Sequence, residues 1–363
     1  MIVERVASMI KNRKPTIKDV AKLANVSTAT VERALTDRGS IRSETKAKVL
    51  AAVKELGYST NAVAKALQRG RSATILAVYH TTPEYFTEDF RRGFEDAAAN
   101  LHSRGLELIT LRTKSLNPKD AVEALQTMDL SNIDAVVIDC GGTELDACIR
   151  GIVASGIPVA TFGSDSATSG RIFYVGEDPF VSGKVVGEIA GKMAGGKGTF
   201  VVFEGAADVD ALNARTAGFS EVIRSDYPNI RLLPPVSHND EDMPGIRGAI
   251  RILNGVEKVD GIFCNSAGGT VALYRAIQYL DLKREQIPII LGYDLNAEIV
   301  KMLEEGYCSM AIYQNPYQQA YNVLNYMFDY ITEDVIPPKA QNYIPCDLVF
   351  KYNAHMFFTG IEA

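Results

Sequence analysis

From residue 73 to the C-terminal end, apolar β-rich runs alternate with helical stretches, and this alternation constrains the fold more than any other feature. Runs at 75–78, 106–111, 135–138 and 158–161 are separated by helical patterns at 86–103, 118–128 and 143–155. A second set at 199–203, 261–263, 287–291 and 309–312 follows, again with helices between. A strand that returns through a helix runs parallel to the strand before it. The pattern therefore predicts an α/β body of parallel sheets covered by helices on both faces. Its length fits two doubly wound lobes; a single closed barrel is the alternative.

The segment before this body follows a different pattern, with three short helices and no strand over 16–56. Thr16 caps the first helix, with Asp19 as its reciprocal acidic partner three residues on. Val20, Ala21 and Leu23 give that helix an apolar side, and Asn25 suits the left-handed turn that ends it. Ser27 caps a second helix over 28–35, which Asp37-Arg38-Gly39 ends. Ser43 caps a third, with Val49, Leu50, Val53 and Leu56 at helical spacing and Gly57 closing it. Helix, tight turn and helix at this spacing form a helix-turn-helix, whose second helix enters the DNA major groove. Thr28, Ala29, Glu32 and Arg33 share one side of that helix; Val31, Ala34 and Leu35 share the side expected to pack on Val20 and Leu23. The pattern alone leaves open an ordinary three-helix bundle. Between head and body, Asn61 can cap a helix of two turns, too short to be stable in water unless docked.

Charge is distributed along the chain in the same two parts. The net charge of −6 divides into +9 over residues 1–71 (15 Lys and Arg against 6 Asp and Glu) and −15 over the rest (23 against 38). A basic head on an acidic body points to a polyanion partner for the head, or else to a solvated basic face. No apolar run is long enough to span a membrane, and residues 1–15 lack the apolar core of a secretion signal. The five cysteines (Cys140, Cys148, Cys264, Cys308, Cys346) form no CxxC pair, and their odd number argues against a disulfide framework. The expectation is a reduced, cytoplasmic protein. The stretch "GKMAGGKG" has the GxxxxGK part of a phosphate loop, but Gly198 stands where a magnesium-holding Ser or Thr belongs. It also follows a helix and precedes a strand, the wrong order, and is read as a turn. The four histidines (His80, His102, His238, His355) lack metal-ligand spacing and no GxSxG elbow is present, so neither an enzyme nor a cofactor is expected.

The stretch "TIKDVAKLANVSTATVERAL", followed by "IRSETKAKVLAAVKELGYSTNAVAKALQRGRS", resembles the head of the lactose repressor (LacI) family of transcription regulators from Thr16 to about Ser72. The resemblance implies that 28–35 is the recognition helix. Thr28 and Ala29 match the positions that vary base preference. Arg33 matches a guanine-reading arginine, whose fork bonds O6 and N7 together. Ser27, Thr30 and Asn61 match phosphate contacts, and Thr16 and Ala64 are counted with the DNA-facing set. Segment 61–68 matches the hinge helix that enters the minor groove at the centre of a palindromic site. Leu67 matches the leucine wedged between base pairs there. Glu32 departs from the family's serine: it repels phosphate, accepts a hydrogen bond from cytosine N4, or pairs with Arg33 or Arg38. Thr60 replaces a frequent proline, and residues 1–15 precede the usual start of the family.

Ligands of open parallel sheets bind beyond the carboxyl ends of the strands. Those ends here carry His80 with Tyr85 and Phe86, Asp139, Ser164-Asp165, Glu204, Asn265-Ser266, Asp294 and Gln314. Acids and amides of this kind hold sugar hydroxyls; they are equally common as caps of the next helix. From Thr74 to about Lys351 the body resembles ribose-type periplasmic sugar-binding proteins. The resemblance implies that "ILGYD" ends in a ligand-binding Asp294 and that "SMAIYQNPYQQA" carries a ligand-binding Gln314. Phe86 falls near a stacking aromatic and Asp165 near a hydroxyl-binding acid. Within "NARTAGF" the usual sugar-binding arginine is replaced by Asn213, and Arg215, two residues on, is expected to face another way.

Taken together, the expected organisation is an extension at 1–15, a helix-turn-helix head at 16–58, a hinge at 59–72 and a ligand-binding body at 73–363. One lobe of the body would comprise about 73–175 and 313–343, the other about 176–312 and 344–363. The expected ligand set is Tyr85, Phe86, Asp139, Ser164, Asp165, Asn213, Arg215, Ser266, Asp294 and Gln314. The expected function is that of a ligand-responsive, sequence-specific regulator, a repressor of carbohydrate-uptake or catabolism genes. Its partners would be a pseudo-palindromic double-stranded operator, a sugar or polyol effector and a second copy of the chain, with no membrane contact. A solute-binding protein of sugar transport is the alternative reading.

Overall fold

The computed structural model describes residues 16–36, 42–56, 73–81, 84–115, 117–139, 143–255 and 258–357. The hinge residues Asn61, Ala64 and Leu67 and the extension 1–15 lie outside the described residues, as do the side chains of Glu32, Tyr85 and Phe86. Contacts divide the chain into two units, Met1–Lys65 and Ala66–Ala363.

The first unit holds α1 (Ile17–Ala24), α2 (Thr28–Thr36) and α3 (Ser43–Leu56). Asp19 accepts hydrogen bonds from both the backbone N–H (2.8 Å) and the hydroxyl (2.7 Å) of Thr16, which fixes the start of α1. Asn25 adopts φ 52°, and its N–H closes onto the carbonyls of Ala21 and Lys22. Val20, Ala21 and Ala24 of α1, Val31 and Ala34 of α2, and Val49 and Ala52 of α3 form one small core. A two-turn helix is marginal alone, and this shared core is what holds α2.

The second unit begins with β1 (Ala73–His80), α4 (Glu84–His102), β2 (Leu106–Thr113), α5 (Pro118–Gln126), β3 (Ala135–Ile138), α6 (Thr143–Ala154), β4 (Val159–Phe162) and β5 (Tyr174–Gly176). It continues with α7 (Pro179–Met193), β6 (Lys197–Glu204), α8 (Asp210–Asp226), β7 (Asn229–Leu232), β8 (Val236–Ser237), α9 (Asp242–Leu253), β9 (Gly261–Cys264), α10 (Ala267–Tyr279), β10 (Ile289–Tyr293), α11 (Ala297–Glu304) and β11 (Met310–Tyr313). The last elements are α12 (Pro316–Glu333), β12 (Gln341–Tyr343), β13 (Asp347–Val349) and α13 (Ala354–Phe357).

These elements build two sheets. One has the order β12-β5-β4-β3-β1-β2 with every neighbouring pair parallel. The other has the order β13-β11-β10-β9-β6-β7, with β8 beside β6 and only the β11–β13 pair antiparallel. Strands such as β3, β4, β9 and β11 are buried at every position, as a sheet covered on both faces requires. The architecture is the pair of doubly wound lobes expected from the alternation, and the closed barrel is excluded.

The chain passes between the lobes three times, at 177–178, 314–315 and 344–346. In lobe two, α7 and α8 approach closely. A Cβ on Gly183 would collide with the Arg215 carbonyl, and one on Gly218 with the Phe180 carbonyl. Only glycine lets these backbones meet, and their contact carries Arg215 on α8 to Glu177 at the first crossover. The GxxxxGK stretch forms the end of α7 and the turn into β6.

Candidate functional site

A cleft of about 530 Å³ opens at the carboxyl ends of strands from both sheets. Lobe one supplies His80 at the end of β1, Asp139 after β3, and Gly163 and Ser164 after β4. Lobe two supplies Val209, Ala211, Leu212 and Arg215 in and just before α8, and Asp240 before α9. It also supplies Ser266, Ala267 and Gly268 at the start of α10 and Asp294 after β10, while Gln314 stands on the second crossover.

On the wall of lobe one, His80 Nδ1 lies 2.8 Å from Asp139 Oδ2, with both side chains buried. Asp139 Oδ1 accepts the Ser164 N–H at 3.2 Å. Gly163 has φ +66°, and a Cβ there would collide with Asp139 Oδ1. Conformation and space both require glycine at this corner.

The opposite wall is a buried polar chain. Gln314 Nε2 donates to Asp294 Oδ1 at 2.8 Å, and Gln314 Oε1 accepts from Arg215 Nη2 at 3.2 Å. Arg215 Nε donates to Glu177 Oε1 at 2.7 Å and Nη1 to the Asn265 carbonyl at 3.0 Å. Its guanidinium lies 3.8 Å over the Tyr293 ring. Glu177, with 0% exposure, also accepts from the Tyr293 hydroxyl at 2.6 Å and the Cys346 thiol at 3.0 Å. The network thus ties residues of all three crossovers (Glu177, Gln314 and Cys346) to a cleft carboxylate. Asp240 accepts the Ala206 N–H at 2.9 Å and the Ser266 hydroxyl at 2.6 Å. Beside it, burial holds the His238 pKa below the usual imidazole value, with Asp240 opposing.

Burial pushes the Asp294 carboxyl up to about 7; the Arg215 guanidinium and the Gln314 hydrogen bond pull the other way and do not win. Arg215 is engaged by Glu177, which limits its help. The sign follows from proton uptake. The unfolded carboxyl titrates near ~3.9 and the folded one higher, so between those values the folded state holds the extra proton. Stability from this group is therefore greatest at low pH and is lost as pH rises through about 7. Without ligand, the protein is expected to gain about 1–2 kcal/mol between pH 7.5 and 5.5 from Asp294. Asp294→Asn should flatten that part of the profile. Melting curves of both proteins across this range check it, and parallel curves would refute the assignment.

The structure gathers Asp139, Ser164, Arg215, Ser266, Asp294 and Gln314 from the expected ligand set around one cleft. Asp165 is not among the residues lining it: Arg171 grips both carboxylate oxygens, and the Thr161 hydroxyl donates to Oδ1 at 2.8 Å. Asn213 is exposed and donates to the Ala207 carbonyl at 2.8 Å, while Arg215 faces the cleft, reversing the expected orientation. Asp294 is not the cap of α11. Asn296 is, its Oδ1 accepting the Ile299 N–H at 2.7 Å, and Asp294 takes φ 60° at the strand end. Sequence reasoning missed Glu177, which follows a strand of three residues, and Asp240, which sits in a run of turn-forming residues. His80 stood at a legible strand end but without an assigned role.

In the head, Thr28, Ala29 and Arg33 are exposed on α2 while Val31 and Ala34 are buried. Ser27 Oγ accepts the Thr30 N–H at 3.2 Å and lies 2.8 Å from the Thr30 hydroxyl. Arg33 Nε folds back onto the Ala29 carbonyl at 3.2 Å, a single solvent-exposed bond.

Residues 16–61 match the family described as bacterial regulatory proteins, lacI family, and residues 75–334 match the periplasmic binding protein domain. The chain belongs to the periplasmic binding protein domain family through its body and carries a lacI-family DNA-binding domain as its head. Among curated proteins it is similar to the sucrose operon repressor of Pediococcus pentosaceus, 26% identical over 290 residues that cover 79% of this chain and 84% of that one. It is similar too to the ribose operon repressor of Haemophilus influenzae, 25% identical over 283 residues covering 77% and 81%. A solved solute-binding protein from Burkholderia graminis, in complex with D-arabinose, shares the fold of the body. Its TM-score is 0.72 at 21% identity, covering 78% of this chain and 97% of that one. With a lacI-family DNA-binding domain and repressors as its curated relatives, the chain is a DNA-binding transcription regulator, and those relatives are regulators rather than enzymes. No helix among the described residues is long and apolar enough to cross a membrane.

Proposed function

We propose that the protein is a cytoplasmic repressor of carbohydrate-uptake or catabolism genes, acting as a homodimer on a pseudo-palindromic operator and released by a sugar, polyol or related effector in the interlobe cleft. The observation that supports it is the joining, in one chain, of an exposed reading face on a docked short helix to a cleft with hydrogen-bonding side chains on both walls. Thr28, Ala29 and Arg33 read bases; Thr16, Ser27, Thr30 and Asn61 position the phosphates; Ala64 and Leu67 belong to the minor-groove hinge. Two copies match a two-fold operator because one small head makes few base contacts. The effector bridges Asp139 and Ser164 of lobe one to Asp294 of lobe two, and so favours one angle between the lobes. A ligand shifts such an equilibrium only by its differential affinity for the two states.

Asp294→Ala is the direct test. Each charge-assisted hydrogen bond removed is worth about 1.5–3 kcal/mol, so effector affinity should fall by at least tenfold. Operator affinity without effector should stay unchanged, since the head folds around its own core. Operator affinity with and without effector is measured by fluorescence anisotropy. A variant still released at the parental effector concentration would remove Asp294 from the site.

A further inference from the structure

We propose that the cleft selects its effector by charge: it accepts a non-anionic, hydroxyl-donating molecule, such as a free sugar, cyclitol or amino sugar, and rejects phosphorylated and carboxylated relatives. This rests on the effector-responsive reading above and narrows it to one chemical class.

Proteins hold anions with guanidinium or ammonium groups and with helix N-termini. Among the described residues lining the cleft the guanidinium is that of Arg215 and the helix starts are those of α8 and α10, and a carboxylate of the chain stands at each: Glu177 at Arg215, Asp210 in the first turn of α8 and Asp240 at α10. Arg215 is bonded through Nε and Nη2 to Glu177, through Nη1 to the Asn265 carbonyl, and through Nη2 to Gln314 Oε1. Its flat face is covered by the Tyr293 ring. No N–H fork remains to clamp a phosphate. At the start of α10, Asp240 accepts the Ser266 hydroxyl at 2.6 Å and lies so close that a Cβ on Gly268 would stand 2.6 Å from its Oδ1. A carboxylate already fills the place at this helix start that an anionic ligand would take.

Two further carboxyl groups face the cleft, one on each wall: Asp139 beside His80 on lobe one, and Asp294 beside Gln314 on lobe two. No lysine stands among the described residues that line it. An anion placed here would meet the carboxyl groups of Asp139, Asp240 and Asp294, and no lysine or second arginine among the described residues lining the cleft balances them. A hydroxyl meets acceptors, and an ammonium meets acceptors that also favour its charge.

Full-length protein is tested by thermal shift and calorimetry against D-ribose, D-xylose, D-glucose, myo-inositol and D-glucosamine. Ribose 5-phosphate, glucose 6-phosphate, gluconate and inorganic phosphate are tested beside them. At least one uncharged or amino compound is expected to raise the melting temperature, its phosphate or acid counterpart binding at least 100-fold more weakly. Inorganic phosphate should leave the unsubstituted protein unmoved. Glu177→Gln removes the charge that holds Arg215 and Asp240→Asn the charge at the start of α10, so whichever variant folds should gain stabilisation by phosphate. Equal or tighter binding of the phosphates or gluconate overturns the inference, as does binding by no uncharged or amino compound. Operator affinity is measured alongside. Release by glucose 6-phosphate would overturn charge selection and leave the regulator standing, whereas absence of operator binding would overturn the regulator reading itself.

Discussion

Operator affinity of the full-length protein is expected to fall by about 10³–10⁵ between 50 and 200 mM salt, the range for about six to ten neutralised phosphates. The reason lies in the head. Residues 1–71 carry a net +9 on a chain whose remainder carries −15, and a dimer presents that positive charge twice. Each phosphate contact releases condensed counterions, so the logarithm of affinity should decline linearly with the logarithm of salt. The acidic body adds a second effect: it repels DNA, so the contact should be confined to the head and hinge. Titrations of a palindromic duplex at four salt concentrations measure the slope. A flat dependence would mean that the basic face of the head does not meet phosphate.

Replacing Arg215 by methionine is expected to lower stability by about 3–5 kcal/mol, because Glu177 would be left as an uncompensated buried charge. For a body of this size that corresponds to roughly 6–20 °C in melting temperature. Arg215 and Glu177 are 5% and 0% exposed, so solvent does not replace the lost partner. The double variant Arg215→Met, Glu177→Gln should recover part of the loss, since it removes both charges and leaves a neutral acceptor for Tyr293. Thermal melts of the three proteins decide the matter. A single variant within 2 °C of the parent would show that the pair is not held as a buried ion pair. Because the same network joins Asp294 to the three crossovers, the single variant should also blunt effector response.

The sequence by itself determined the class of both units. Alternation of apolar runs with helical stretches is a local property, repeated often enough along the body to specify parallel sheets covered on both faces. The helix-turn-helix is local as well: Thr16 with Asp19, Asn25 in its left-handed turn and Ser27 with Thr30 act over three or four residues, within reach of pattern reading. Tertiary structure alone decided β5 and β12, each three residues long, and with them the crossovers that follow. Strands so short carry no readable period.

The site divides in the same way. Strand ends are legible, so Asp139, Ser164, Ser266, Asp294 and Gln314 could be named, but the direction of a helical side chain is not. Asn213 and Arg215 are about 200° apart around α8, so only one can face the cleft, and the packing of α7 against α8 selects Arg215. Asp165 stood beside a strand end, yet Arg171 six residues on takes its carboxylate. Glu177 meets Arg215 across 38 residues of sequence. Pairings of that range depend on how helices and sheets come to rest against one another, and no periodicity along the chain encodes them.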